Sequence, residues 1–194
     1  MTRLSPALIV ALVLALSACK PEDTQDVTLV DMTAETLGHF CQMHLLEHPG
    51  PKAQVHLQGM AGTPLYFSQV RDAIAYQRLP EQSLPIPAVY VNDMGAPGAL
   101  WDVPGKGNWI PAETAFCVLG SIREGGMGAP ETVPFSSRQA ALAFAATEGG
   151  KVATLDEIPD SAVLAPVDID PNPAPPDAAG DADFDARLRA LTEQ

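Results

Sequence analysis

The sequence predicts an α+β fold made of two small related units, set between a short polar tether and an acidic C-terminal tail. Three observations carry that reading. A ten-residue block recurs: Phe67-Ser68-Gln69-Val70-Arg71-Asp72-Ala73-Ile74-Ala75-Tyr76 aligns without gaps to Phe135-Ser136-Ser137-Arg138-Gln139-Ala140-Ala141-Leu142-Ala143-Phe144, with four identities and the pairs Ile74/Leu142 and Tyr76/Phe144. Each block follows a Gly-Met pair, Gly59-Met60 and Gly126-Met127, and lies among short apolar runs of strand length. Composition also shifts sharply at both ends of the region 27–158.

The chain opens with Arg3 and an unbroken apolar run at residues 7–16, followed by Leu16-Ser17-Ala18-Cys19. A run of this length is too short for a bilayer core, which needs roughly 20 residues. It fits a secretory signal, and the small residues leading to Cys19 resemble the lipobox of bacterial lipoproteins. Residues 1–18 are therefore expected to be removed and Cys19 lipidated. Lys20 rather than an acid after the cysteine directs such a protein to the outer membrane, so a periplasm-facing lipoprotein is expected. Residues 19–26 read as the tether.

Within 27–158, strands are expected at 53–57, 65–67 and 88–92 in the first half, and at 116–119, 132–135 and 152–155 in the second. Ser68 and Ser136 are placed as helix caps, because a serine before a helical apolar spacing offers its oxygen to the free N–H groups of the first turn. Glu148-Gly149-Gly150-Lys151 is a helix stop feeding directly into a strand. The first unit is set at 27–94 and the second at 108–158, joined by a Gly/Pro-rich junction at 95–107. The 36 residues of 159–194 hold 6 prolines and 8 acids against 2 arginines, and are expected to be disordered. Their one periodic feature is the narrow stripe Phe184, Leu188 and Leu191, marginal as an isolated helix.

Charge excludes two classes of partner. With 11 Lys+Arg against 24 Asp+Glu and a net charge of −13, the chain offers no basic face for nucleic acid and no polybasic membrane surface. Hydrolytic and nucleotide motifs are absent too: no G-x-S-x-G, no H-E-x-x-H and no Gly-rich phosphate loop opening a helix. The chain does not read as an enzyme.

What remains is sulfur and imidazole. Beyond Cys19 there are two thiols, Cys41 and Cys117, and all four histidines, His39, His44, His48 and His56, lie within 18 residues of one another. Cys41-Gln42-Met43 puts a thiolate and a thioether two residues apart, soft donors that select Cu(I) over harder divalent ions. Structural zinc would want paired cysteines, and calcium an oxygen-rich loop; neither pattern is present. The same residues admit a second reading. Cys41 and Cys117 could form a disulfide in an oxidising compartment, with the methionines as filler and the histidines as loop residues. Cys117, in the apolar run Ala115-Phe116-Cys117-Val118-Leu119, reads as a buried inert thiol.

The order of features resembles the NosL family, the accessory lipoproteins of nitrous-oxide reductase maturation. The resemblance runs from the lipobox and Cys41-Gln42-Met43 through Trp109-Ile110-Pro111-Ala112, Gly126-Met127-Gly128 and Pro134-Phe135-Ser136 to Gly149-Gly150-Lys151-Val152. Family members often carry Cys-x-x-Cys-Gly-Met where this chain has Phe40-Cys41-Gln42-Met43, so a two-thiolate role is not implied here. The resemblance implies two related ββαβ-type domains and a Cu(I) chaperone. The implied partners are nitrous-oxide reductase, whose copper–sulfide centre it would supply, and the enzyme's membrane assembly complex. It implies Cys41 as thiolate ligand, Met43 as adjacent thioether and Met127 as thioether from the second unit, with His44 and His39 as candidates for a fourth or exchangeable ligand. A metal held by Cys41 and Met127 together would bridge the units and couple occupancy to their orientation. The competing expectation is a metal-free docking lipoprotein stapled by Cys41–Cys117.

Overall fold

The computed structural model describes residues 25–103 and 107–167. The expected signal, Cys19, most of the tether and residues 168–194 lie outside that range. Two antiparallel sheets form the frame. The first contains β1 (Ala53–His56), β2 (Leu65–Phe67), β3 (Ala88–Asn92) and β4 (Trp109–Pro111), in the order β2-β1-β3-β4. The second contains β5 (Phe116–Leu119), β6 (Val133–Phe135) and β7 (Lys151–Ala153), in the order β6-β5-β7. Helix α1 (Val70–Arg78) follows β2, and α2 (Arg138–Glu148) follows β6, so the repeated block is the same strand-to-helix corner used twice.

β1 shows how the first sheet is buried on both faces. Ala53 and Val55 point into a core with Phe67, Val70, Ala73, Ile74, Val89 and Val91. Gln54 and His56 alternate to the opposite face, where polar groups need partners once water is excluded. Residues 25–30 supply them as an extended strap. Val30 N–H donates to Gln54 Oε1 and Gln54 Nε2 donates to Val30 O, both at 3.2 Å. Tyr66 donates its hydroxyl to Val30 O at 2.8 Å, and Tyr90 to Val27 O at 3.2 Å. Gln25, assigned to the tether, is part of this strap: its Nε2 donates to Leu57 O at 2.8 Å.

The expected boundary between units is corrected by β4. Residues 109–111, expected in the second unit, pair with β3 through Asn92↔Trp109, Val91↔Ile110 and Tyr90↔Pro111. Asp93 N–H donates to Asn108 O at 2.7 Å and Asn108 Nδ2 donates to Asp93 O at 2.9 Å, which closes the intervening segment into a hairpin. Pro111 lacks an N–H and fits the outer edge this strand occupies.

The halves also share one core. Ala112, Ala115 and Cys117 pack into the first cluster, while Val118, Val133, Phe135 and Ala141 form a second, smaller one. Met94 N–H donates to Pro134 O at 2.9 Å, and Ser136 N–H to Asp93 Oδ1 at 3.0 Å, tying β3 to β6.

Two further expectations change. The caps fall one residue later than Ser68 and Ser136: α1 is preceded by Gln69, which does not cap with its side chain, and α2 by Ser137, which accepts from Ala140 N–H. The acidic tail begins after a docked segment, not at 159. A short helix, α3 (Asp160–Val163), lies against α1 with Val163 buried. Arg71 donates through Nε to Ala162 O at 3.3 Å and through Nη2 to Ala165 O at 2.5 Å. Arg78 donates to Ile158 O at 2.8 Å and pairs with Asp160 at 2.9 Å. Among the described residues no helix is long and apolar enough to cross a membrane.

Candidate metal centre

Cys41 and Met43 stand on a tight reverse turn whose arms meet at the Leu37↔His44 bridge. Gly38 N–H donates to Met43 O at 3.0 Å, and Gln42 N–H to Gly38 O at 2.9 Å. Gln42 takes a left-handed φ of 55°, unusual for a residue with a Cβ. Its side chain supports that conformation, because Nε2 donates to His39 O at 2.7 Å. Gly38 is needed for close approach: a Cβ there would sit 2.4 Å from Cys41 Sγ. The turn is tied to β2 by His39 N–H, which donates to Tyr66 O at 2.6 Å. It then runs straight into a 3₁₀ turn, Leu45–Glu47, ending at His48.

Met127 stands on a second turn, closed by Gly125 N–H to Ala129 O at 2.8 Å and Gly128 N–H to Gly125 O at 2.9 Å. This turn is seated on the end of the first. His48 Nδ1 bonds Gly126 O at 3.0 Å, and a Cβ on Gly126 would stand 2.7 Å from His48 Cβ and 3.1 Å from Pro49 O. Met127 N–H donates to Gln69 Oε1 at 2.6 Å. The 45–48 turn is thus the common base of both sulfur-bearing loops.

Exposure separates the two thiols. Cys41 is half-buried, and Met43 and Met127 are 39% and 45% exposed. Cys117 is buried in β5, and burial, reinforced by the Glu131 carboxylate, pushes its thiol up to about 12. Both cysteines are free. The expected alternative, a Cys41–Cys117 disulfide, is therefore not formed: one thiol is in a surface turn and the other faces the shared core.

Beneath the two loops lies a buried polar layer. Lys52 is fully buried, and its Nζ donates to Pro49 O at 2.9 Å and Gly50 O at 2.5 Å. Burial pushes it down to about 8, against the pull of a carboxylate at Glu131 and a thiolate at Cys41, both of which favour its charge. Glu131, also buried, accepts from Arg71 N–H at 3.1 Å and Thr132 N–H at 2.8 Å, yet burial still pushes its carboxyl up to about 8.

A family model described as NosL matches residues 29–163. The chain belongs to the NosL family. It is 59% identical over 190 residues to a copper-binding lipoprotein NosL of Achromobacter cycloclastes, covering 98% of this chain and 96% of the relative. A copper-binding lipoprotein NosL of Stutzerimonas stutzeri is 33% identical over 160 residues, covering 81% and 80%. Among solved structures, the crystal structure of the copper chaperone NosL from Shewanella denitrificans superposes with a TM-score of 0.64 at 30% identity, covering 69% of this chain and 97% of that one. The mixed fold of two small sheets with helices is the one that NosL structure has.

In this NosL chain the residues singled out from sequence do not all fall in one place. Cys41, Met43 and His44 share one turn, and Met127 occupies the turn seated on its base. The His44 Nδ1 atom is buried and has no hydrogen-bond partner. The His39 ring lies among aromatic rings, its centroid 5.6 Å from Phe67 and 5.3 Å from Tyr76. His56 is buried under the strap, its Nε2 3.1 Å from Gln54 Oε1. No three His, Cys, Asp or Glu side chains converge on a common point among the described residues, so a metal at these loops would draw on thioethers. Sequence reasoning missed Lys52, Gln69 and Glu131, which nothing local distinguishes from ordinary surface polar residues. His48 was noted only as one of four histidines.

Proposed function

We propose that this chain is a lipid-anchored, periplasm-facing chaperone that binds Cu(I) as cargo and hands it to nitrous-oxide reductase for its copper–sulfide centre. Cys41 is the anionic ligand and Met43 and Met127 are the neutral ones. The observation that carries the proposal is the seating of the Met127 turn on the end of the 45–48 turn, which begins one residue after His44 in the Cys41–Met43 loop. One thiolate and two thioethers form a soft, low-charge donor set that suits a monovalent copper ion. His44 is available as a further donor, since its buried Nδ1 lacks any other partner. The exposure of both thioethers supports a transfer role, because an acceptor's ligands can approach the ion as these withdraw. The relatives' names, copper-binding lipoprotein and copper chaperone, support copper as the cargo and the lipid anchor as the mode of attachment. Anchoring at Cys19 leaves the folded region facing the partner's compartment. Delivery to the reductase rests on the family resemblance.

The test is a Cu(I) titration against a competing chelator. Cys41→Ser should abolish tight binding, Met127→Ala should weaken it less, and Cys117→Ser should leave it unchanged. Wild-type affinity in Cys41→Ser would overturn the proposal.

A further inference from the structure

We infer that Gln69 is a positioning residue for the Met127 thioether: it belongs to the first unit's strand-to-helix corner and holds the Met127 turn of the second, with Glu131 steadying its amide. The inference rests on the copper reading above for its consequence, though not for its geometry.

Gln69 occupies the residue before α1, where a side chain ordinarily caps the helix, and it does not cap. Its counterpart in the repeated block, Ser137, does. Instead, Gln69 Oε1 accepts from Met127 N–H at 2.6 Å across the two units. The side chain is fully buried, while the bond is partly buried because Met127 itself reaches solvent. It fixes the backbone of the residue whose sulfur is the proposed ligand.

The other half of the amide lies on the same side of Gly125 as an unpaired oxygen of Glu131. Gln69 Nε2 and Glu131 Oε2 are both buried and both lack a partner. Gln69 Nε2 is a donor and Glu131 Oε2 an acceptor once the carboxyl is ionised, and they flank the same glycine. A Cβ on Gly125 would stand 2.5 Å from Glu131 Oε2 and 2.9 Å from Gln69 Cδ. Glu131 itself is held through Oε1 by the amides of Arg71 and Thr132, which leaves Oε2 uncommitted. Leaving buried polar groups unpaired is costly, and pairing these two with each other would remove that cost. Gly125 is the position where only a residue without a side chain leaves room for them.

The experiment uses the purified protein with three readouts. Gln69→Ala should lower Cu(I) affinity roughly tenfold, the equivalent of about one buried hydrogen bond. The same substitution should add nothing in a Met127→Ala background, because its effect passes through that sulfur. Exchange of the Met127 amide hydrogen should accelerate in Gln69→Ala while circular dichroism of the apo protein stays native. The exchange of roles in Q69E/E131Q keeps one acceptor for Met127 N–H and one donor facing one acceptor, and should restore most of the affinity. Wild-type affinity in Gln69→Ala, or an equal loss with and without Met127, would overturn the inference. If Cys41→Ser binds copper normally, the copper reading fails instead. The Met127 amide then decides the positioning role alone: unchanged exchange in Gln69→Ala refutes it.

Discussion

Truncation after Ile158 removes the whole acidic region expected from sequence to be disordered, and it should destabilise the fold. Truncation after Val167 should not. The difference between the two cuts is the segment carrying α3. Val163 is 4% exposed in the core that also holds Ile158, and burying a valine side chain is worth about 1.5–3 kcal/mol. Arg71 would lose both carbonyl acceptors, at Ala162 and Ala165, for about 1 kcal/mol each after rehydration. The Arg78–Asp160 pair has its aspartate 74% exposed and adds little, and the bond from Arg78 to Ile158 O survives the cut. The sum is about 3–5 kcal/mol, and because area-based values are upper estimates we take the lower end. For a folded region of this size that lowers the melting temperature by about 10 °C. Thermal unfolding followed by circular dichroism on both truncations measures it. Equal melting temperatures would refute the docking of α3 as a source of stability.

Three further outcomes are expected. In a Cys19→Ala chain near pH 8, iodoacetamide should modify Cys41 alone in the native state and Cys117 only after denaturation, read by intact mass; burial keeps the Cys117 thiol protonated. Stability should fall as pH rises from 5 towards 8. Glu131 is raised from 4.5 to about 8, so the folded chain holds its proton more tightly; the stability present at acid pH is lost as pH rises through that window, by at most about 1.4 kcal/mol per unit. Lys52 is lowered from 10.5 to about 8, so its contribution is lost as pH falls towards 8 and returns above it. Glu131→Gln should flatten the acid limb in urea titrations run from pH 5 to 8, and an unchanged slope would sink the assignment. Gly126→Ala should unseat the Met127 turn, because its Cβ meets His48; an unchanged chemical shift for the His48 ring would contradict that.

How much of this was legible in the sequence depended on whether the cause was local. Strands at Leu65–Phe67, Ala88–Asn92 and Phe116–Leu119 follow from short β-branched and aromatic runs. The repeated corner was visible because Ala73 and Ala141, identical in both copies, are each fully buried beneath their helices. The unit boundary was not visible, because β4 is defined by its partner β3, and the hairpin joining them is closed by Asp93 and Asn108 across the Gly/Pro-rich stretch. The docked start of the tail escaped for the same reason. Its composition is that of a disordered segment, and what holds it is a pair of arginines on α1, Arg71 and Arg78, reaching its backbone carbonyls. At the candidate site, the placing of Cys41 and Met43 on one turn is legible from their spacing alone. The seat of Met127 is not, because Gln69, His48 and Gly126 are brought together only by the fold.

The shared core bears on how a metal held between the two loops could be taken up and released. From sequence, two separate units suggested that occupancy would be coupled to their relative orientation. Yet Ala112, Ala115 and Cys117 sit inside the cluster built on β1 and α1. Met94 and Asp93 also bond the β6 corner directly. Rotating one half against the other would expose this apolar surface and break those bonds together, a cost that one exposed metal site is poorly placed to offset. The freedom lies instead in the side chains. Methionine has three rotatable bonds and a polarisable sulfur, and Met43 and Met127 reach solvent from backbones held by Gly38 and Gln69 respectively. If these residues hold copper as proposed, a fixed frame with movable thioethers would let ligands depart one at a time while the thiolate kept hold of the ion. On the copper reading, that frame passes its cargo on by ligand exchange, without opening.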